Sequence, residues 1–360
     1  MRTKFFSNFL IKGKQIILTN KEKELRNCNF VKTVLMIIVA FYHSALFFGE
    51  GQWFTGSPIH MSVPLSVLCE WMNSFHIHAF TLVSGYLFYF LRYEKGKYNR
   101  FGSFVANKAK RLLIPFAVVA TIWVVPIQCL FFDLSIVDIV QKYVLATSPS
   151  QLWFLFMLFD VFVICWLCSD FFDRHFLIGM VAVIALWGIG VVGGAVIPNV
   201  FMIWTACKYV SFFWIGFSIR KYGSYMFMKI PAIVWIIADI AIFATTKFIS
   251  GYDGVIFKLL NIGIGFALNI VGSVMAFVVL QKIADRIKWE NKFFNFLIKR
   301  SMGVYLFHQQ VIYFTIYWLN GMINPYLHTV INFVASMAVS LIITSVLLRF
   351  KFTRFLLGEK

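Results

Sequence analysis

Residues Val31–Phe48 read VKTVLMIIVAFYHSALFF, an apolar run with a cation, Lys32, near its start and an imidazole, His43, well inside it. In a helix that rises ~1.5 Å per residue, His43 lies about 16 Å beyond Lys32, halfway or more across a hydrocarbon core of ~30 Å. The separation is close to three helical turns, so both side chains fall on nearly one face. An ionisable group at that depth costs free energy unless it meets a partner, water or a ligand. His43 is therefore the first candidate for chemistry, and the surrounding sequence is read for what it builds around this imidazole.

The chain of 360 residues is 60% hydrophobic, 19% aromatic and only 13% charged, more apolar surface than a soluble domain of this size has reason to carry. Long uncharged runs recur from end to end. The fold class this predicts is all-α: a polytopic membrane protein with about ten transmembrane helices and both termini cytoplasmic. The ten spans fall near 31–49, 71–91, 112–132, 152–169, 176–197, 201–219, 230–249, 256–281, 301–320 and 327–348. A basic cytoplasmic tail (1–26), a transmembrane domain (27–350) and a short cytoplasmic C-terminal tail (351–360) complete the organisation. Segment 133–150, with Asp133, Asp138 and Lys142 among apolar residues, reads as an amphipathic helix on the membrane surface.

Charge placement tests this topology independently. With the N-terminus inside, 29 of the 33 Lys and Arg residues fall on the cytoplasmic side; Lys142, Lys208, Lys247 and Lys258 do not. That bias is the positive-inside pattern, and one span more or fewer would invert the later loops. The net charge of +18 is then mainly a topology signal, with anionic membrane lipid as its partner and no nucleic acid. Cys165 and Cys168 have redox-like spacing, but they sit inside an apolar run and read as small buried residues. No His/Cys spacing suits a metal.

His76 and His78 open the second span, which runs inward from the outer face and so brings them to a depth similar to that of His43. Histidine moves protons near neutral pH or accepts an acyl group, which makes His43 and His76 the catalytic candidates. His76 and His78 stand about 200° apart on a helix, so the two do not share one cavity. The plainer role for any of the three is a hydrogen bond to a backbone carbonyl. Ser84 is a weak nucleophile candidate, and Gly85 beside it reads as a point of close helix approach. Lys108, Lys110 and Arg111 stand at the inner boundary, on the same side as Lys32. Such a cluster holds phosphates, or it simply anchors the chain to lipid. Asp160 and Asp239 are intramembrane acids whose natural partners are a histidine or Lys208. Trp153 reads as an interfacial aromatic, with sugar contact as a second use.

Five motifs occur in order: Lys32 and His43 at their spacing, FHIHAFTLVSGYLF, KRLLIPF, QLWFLFMLF and SMGVYLFHQQ. Together they resemble the acyltransferase 3 family of bacterial integral-membrane acyltransferases over about residues 25–350. The resemblance implies a ten-helix core in the bacterial inner (cytoplasmic) membrane. It also implies an O-acetyltransferase that uses acetyl-CoA as acyl donor and no metal. The acceptor it implies is a cell-surface polysaccharide or lipid-linked glycan. His43 falls on the position regarded as catalytic; Lys32 and Arg111 fall on the family's basic positions and His308 on its terminal histidine, so these three are the candidates for binding the acyl-CoA; for His308 a structural or pore-lining role is the plainer reading. Asn27 and Asn29 stand where many relatives carry an acid, and IHAF replaces a Met-Pro pair common near His76. A transporter or flippase for a polar or lipid-linked substrate remains the alternative, since intramembrane His, Asp and Lys also suit proton relays. No inverted repeat or paired broken helices favour it.

Overall fold

The computed structural model describes residues 2–50, 56–287 and 291–359; side chains are described from Glu22 onward, except Glu50, Ser224 and Tyr225. The expected tail 1–26 therefore lies largely outside the described side chains. Ten long helices organise the described residues: α1 Arg2–Glu50, α2 Val63–Tyr89, α3 Phe101–Val119, α4 Trp153–Arg174, α5 Phe176–Val196, α6 Ile203–Tyr222, α7 Ala232–Ser250, α8 Val255–Arg286, α9 Ser301–Leu319 and α10 Pro325–Leu347. No strand occurs among the described residues. The fold is all-α, and each long helix overlaps one of the expected segments.

Eight of the ten are long and apolar enough to cross a membrane; α2 and α9 are not among them. These two carry the imidazoles, amides and hydroxyls that lower hydropathy, and they are also among the most enclosed. α2 packs against α1, α6 and α8, while α9 packs against α1 and α10. The helices richest in aliphatic side chains lie outermost. Only 6% of the most apolar window of α7 and 17% of that of α5 is buried, against 67% for α1. In lipid this is the stable arrangement, because a buried polar group can find a partner only inside the bundle.

Two local features set the central packing. Gly85 of α2 lies on the Phe213 backbone of α6, and Gly216 of α6 lies on the Leu82 backbone of α2. A Cβ at either position would strike main chain, so these glycines fix how closely the two helices cross. The role expected for Gly85 is the one observed. At the end of the bundle where α2 stops and α6 ends, Arg220 of α6 pairs with Glu94 (2.6 and 2.8 Å) and donates to the Tyr86 hydroxyl (2.8 Å), which in turn donates to Glu24 of α1 (2.5 Å). This chain of charge-assisted bonds ties α1, α2 and α6 together.

Helix α3 starts at Phe101, well before the expected span, and contains Pro115. It continues through a π turn, Ala120–Val124, into Val125–Phe131. Proline removes one main-chain bond, and the wider turn that follows accommodates the change. The segment expected to form a surface helix is shorter than anticipated. It contains one helical turn, Ile136–Ile139, capped by Ser135 and Asp138, and a π turn, Val140–Val144. Ile136 and Val137 are exposed, while Tyr143 turns inward and donates to Gln128 (2.5 Å).

Candidate active site

His43 reaches its place because α1 stays helical and unbroken past it, with small or apolar neighbours on the packed face: Ala40, Ser44 and Ala45 are fully buried. The His43 ring itself remains half-buried, so it borders internal space. Its Nδ1 lies 2.9 Å from Nε2 of His308 on α9. His308 is fully buried, and its own Nδ1 faces the Val304 and Tyr305 carbonyls at 3.0 and 2.9 Å.

The hydrogen-bond network assigns the protons. Carbonyl oxygens only accept, so His308 donates to them from Nδ1–H. The Nε2 of neutral His308 is then an acceptor, and His43 must donate to it from Nδ1–H. The Nε2 of His43 consequently carries the lone pair. This is the tautomer that a general base or nucleophile needs, held by a partner that is itself held by main chain.

His76 is 2% exposed, and its Nδ1 donates to the Met72 carbonyl (2.5 Å) one turn earlier in α2. Its ring lies 4.9 Å from that of Tyr42, the neighbour of His43 on α1. Here too Nε2 holds the lone pair, so neutral His76 has no N–H to offer an oxyanion; only the imidazolium does. His78 faces elsewhere, stacked on Tyr209 of α6 (4.9 Å, 5° between rings). The separation of His76 from His78 expected from helical phase is observed.

Below the imidazoles a cavity of about 470 Å³ opens towards the basic end of the bundle. Lys32, Lys108, Arg111 and Lys299 line it. The Lys108 ammonium rests 3.5 Å from the centre of the Phe162 ring, and that of Lys32 lies 5.2 Å from the centre of Phe80. Among the described residues no carboxylate pairs with either cation, and aromatic faces support them. Tyr98, in the loop before α3, adds a phenol whose pKa burial pushes up, keeping it a donor. Four cations and a phenol, against the single carboxylate of Glu359 in the described lining, suit a ligand rich in phosphate.

On α1 the cavity extends as far as Met36, and on α2 as far as Phe80. Met36 stands seven residues before His43, about 10 Å along the helix and on the same face. The basic cavity therefore points at His43 and stops two turns short of it, with a flexible methionine at its inner end.

The sequence profile of the acyltransferase domain family matches residues 26–349, nine-tenths of the chain. The chain belongs to the acyltransferase 3 family. It is a multi-pass membrane acyltransferase. Comparison with curated proteins and with solved structures gives no match.

Several expectations for this acyltransferase need adjusting. His308, a candidate for binding the donor, has both nitrogens engaged and touches His43. Asp239 takes neither a histidine nor Lys208; it accepts from Trp71 Nε1 (2.7 Å). Asp160 takes neither as well, and its Oδ2 has no hydrogen-bond partner. Ser84 donates to the Phe80 carbonyl (2.9 Å) and lines the basic cavity rather than the imidazole pair. Lys110 lies outside the cavity lining that includes Lys108. Cys165 and Cys168 form no disulfide, and no group of metal-ligating side chains occurs among the described residues. Sequence reasoning missed the His43–His308 pair, although HQQ in α9 was a signal: three polar side chains in succession inside an apolar run.

Proposed function

We propose that this acyltransferase moves an acetyl group from acetyl-CoA to a hydroxyl of a cell-surface polysaccharide or lipid-linked sugar in a bacterial inner membrane. The observation that carries the reading is the His43–His308 pair above a cation-lined cavity. The cavity supplies phosphate-binding charge, Lys32, Lys108 and Arg111 among it. The imidazole pair supplies a base of defined tautomer at the end of that path.

In the direct route, Nε2 of His43 takes the hydroxyl proton as the sugar oxygen attacks the thioester carbonyl. The tetrahedral intermediate then expels the CoA thiolate, which takes the proton from His43. The positive charge that His43 carries between these steps is shared through Nδ1–H with the lone pair of His308. In the second route, Nε2 attacks the thioester carbonyl first and the C–S bond breaks to release the CoA thiolate. The alcohol then attacks the acyl-imidazole, the C–N bond breaks to restore His43, the alcohol proton ends on the thiolate, and ping-pong kinetics result. An oxyanion role for His76 would require a proton on its Nε2, which the burial of this ring opposes in either route.

The test uses inverted membrane vesicles, acetyl-CoA labelled in the acetyl group, and the His43→Ala protein. Label is expected to enter the glycan fraction with the wild-type protein and to fall at least ~10²–10⁴-fold with the variant, the usual contribution of a general base. Undiminished labelling with normal insertion of the variant rejects the assignment of His43.

A further inference from the structure

On the side of the bundle opposite the basic cavity, a second cavity of about 420 Å³ lies between the start of α4, the start of α6 and the segment preceding α4. Its walls differ in kind. Thr147, Ser148, Ser150 and Thr205 present hydroxyls, Trp153 and Tyr209 present aromatic surface, and Lys208 presents a cation. Small hydroxyls around a broad aromatic face suit a pyranose, whose apolar face covers the ring while its hydroxyls exchange hydrogen bonds at the edge.

The rim of this cavity is held in unusual backbone. Among the described residues five that are not glycine have positive φ, and four of them lie here: Ala146 (50°), Ser150 (49°), Phe201 (53°) and Met202 (58°). Left-handed backbone is disfavoured for these side chains and persists where surrounding contacts impose it. One such contact joins the two rim segments, the Phe201 N–H donating to the Leu145 carbonyl (2.8 Å). Asn199 fixes a second, donating to the Thr205 hydroxyl (2.8 Å) and accepting from the Trp204 N–H (3.0 Å).

Lys208 distinguishes the site further. It forms no salt bridge among the described residues. It also borders a neighbouring cavity of about 420 Å³ that holds His78, Asn261 and Asn269. A lysine near a helix end commonly places its charge among headgroups or water. Lys208 instead stands in the wall between two polar cavities, with its charge unmatched.

The floor leads towards the imidazoles. Ser150 donates to Gln151 (2.8 Å), and Gln151 exchanges hydrogen bonds with Gln310 of α9 (2.6 and 3.0 Å) and donates to the Leu306 carbonyl (3.1 Å). Gln310 and Leu306 flank His308 in the sequence of α9. The outer cavity is thus joined by buried amides to the helix that positions His43.

The geometry points to an acceptor subsite for an anionic saccharide, with a sugar ring on Trp153 and a carboxylate or phosphate substituent on Lys208. This rests on the transfer to a saccharide proposed above and names the acceptor's charge and its contacts.

The test measures binding, without turnover, by saturation-transfer NMR competition on the full chain in lipid nanodiscs. The probes are digalacturonate and glucose 1-phosphate, each set against its uncharged counterpart, galactobiose and glucose. At least one charged probe is expected to bind about tenfold or more tightly than its counterpart, and which one does so separates a uronate from a phosphate substituent. Lys208→Met is expected to erase that preference while Lys208→Arg keeps it. Trp153→Ala is expected to abolish binding and Trp153→Phe to retain it. His43→Ala, which tests the acyl-transfer reading, is expected to bind the probes like wild type. Equal binding of charged and neutral probes, or binding unaffected by Lys208→Met and Trp153→Ala, overturns the subsite. Retained, charge-dependent binding by a protein that transfers no acyl group supports the subsite and overturns the catalytic reading instead.

Discussion

Helices α9 and α7 have the same length, 19 residues, and opposite fates. In α9 twelve residues are buried, among them His308, Gln309 and Gln310. In α7 the one buried residue is Asp239, and Ile233, Ile237 and Ile240 face outward. A soluble protein sorts these side chains the other way. In a bilayer, aliphatic surface costs nothing against lipid, while a polar group needs an internal partner. One of the two helices that fall short of a membrane span is thus the one that carries His308, the partner of His43. α2 repeats the lesson, with His76 and Ser84 buried and Gly85 in contact with α6.

This contrast can be broken by substitution. The largest effect is expected at Gly216→Leu on the α2–α6 crossing, where four added carbons would meet Leu82 main chain. The expected loss, several kcal/mol and at least the ~1–3 kcal/mol of ordinary overpacking, should remove the protein from the membrane fraction in an expression blot. Normal yield would mean that this helix contact is not essential. Next comes His308. His308→Ala should reduce the rate of transfer by about 10–100-fold, the usual cost of removing the group that orients a catalytic histidine or ligand. His308→Gln, which keeps an acceptor for His43 Nδ1–H, should recover part of that loss. If alanine and glutamine behave alike in kcat, the pairing has no catalytic role.

Smaller effects are expected in the basic cavity. Lys108→Met should raise KM for acyl-CoA by about tenfold or more, since a charge-assisted hydrogen bond contributes ~1.5–3 kcal/mol, with kcat little changed. A change confined to kcat would place Lys108 in the chemistry instead. The smallest effect is reserved for α7. Ile237→Val should leave stability within about 0.5 kcal/mol and activity unchanged, as measured by thermal unfolding in detergent and by acetyl transfer. A marked loss there would show that α7 faces protein rather than lipid.

The sequence made much of the fold legible, because apolar runs and the placement of Lys and Arg are strong signals in a membrane protein. His43 stood out for the same reason, an imidazole inside VKTVLMIIVAFYHSALFF being costly without a use. Its partner was harder to find. His308 lies 265 positions away, and only the packing of α9 on α1 brings the two rings together. Tautomers were also out of reach, because they depend on which carbonyl each ring meets. Lys299 and Tyr98 joined the basic cavity from loops or helix ends whose positions no periodicity encodes. The surface helix expected over 133–150 shortened because Tyr143 has a buried partner, Gln128, and Pro149 closes the segment.

The central claim is that the lone pair on His43 Nε2 carries the transfer. The most direct measurement is the mass of the surface glycan from cells that make the wild-type protein or His43→Ala at equal membrane levels. The account predicts acetyl-substituted residues with the wild type and the unsubstituted mass with the variant. Acetyl substitution that persists in the His43→Ala cells would contradict it.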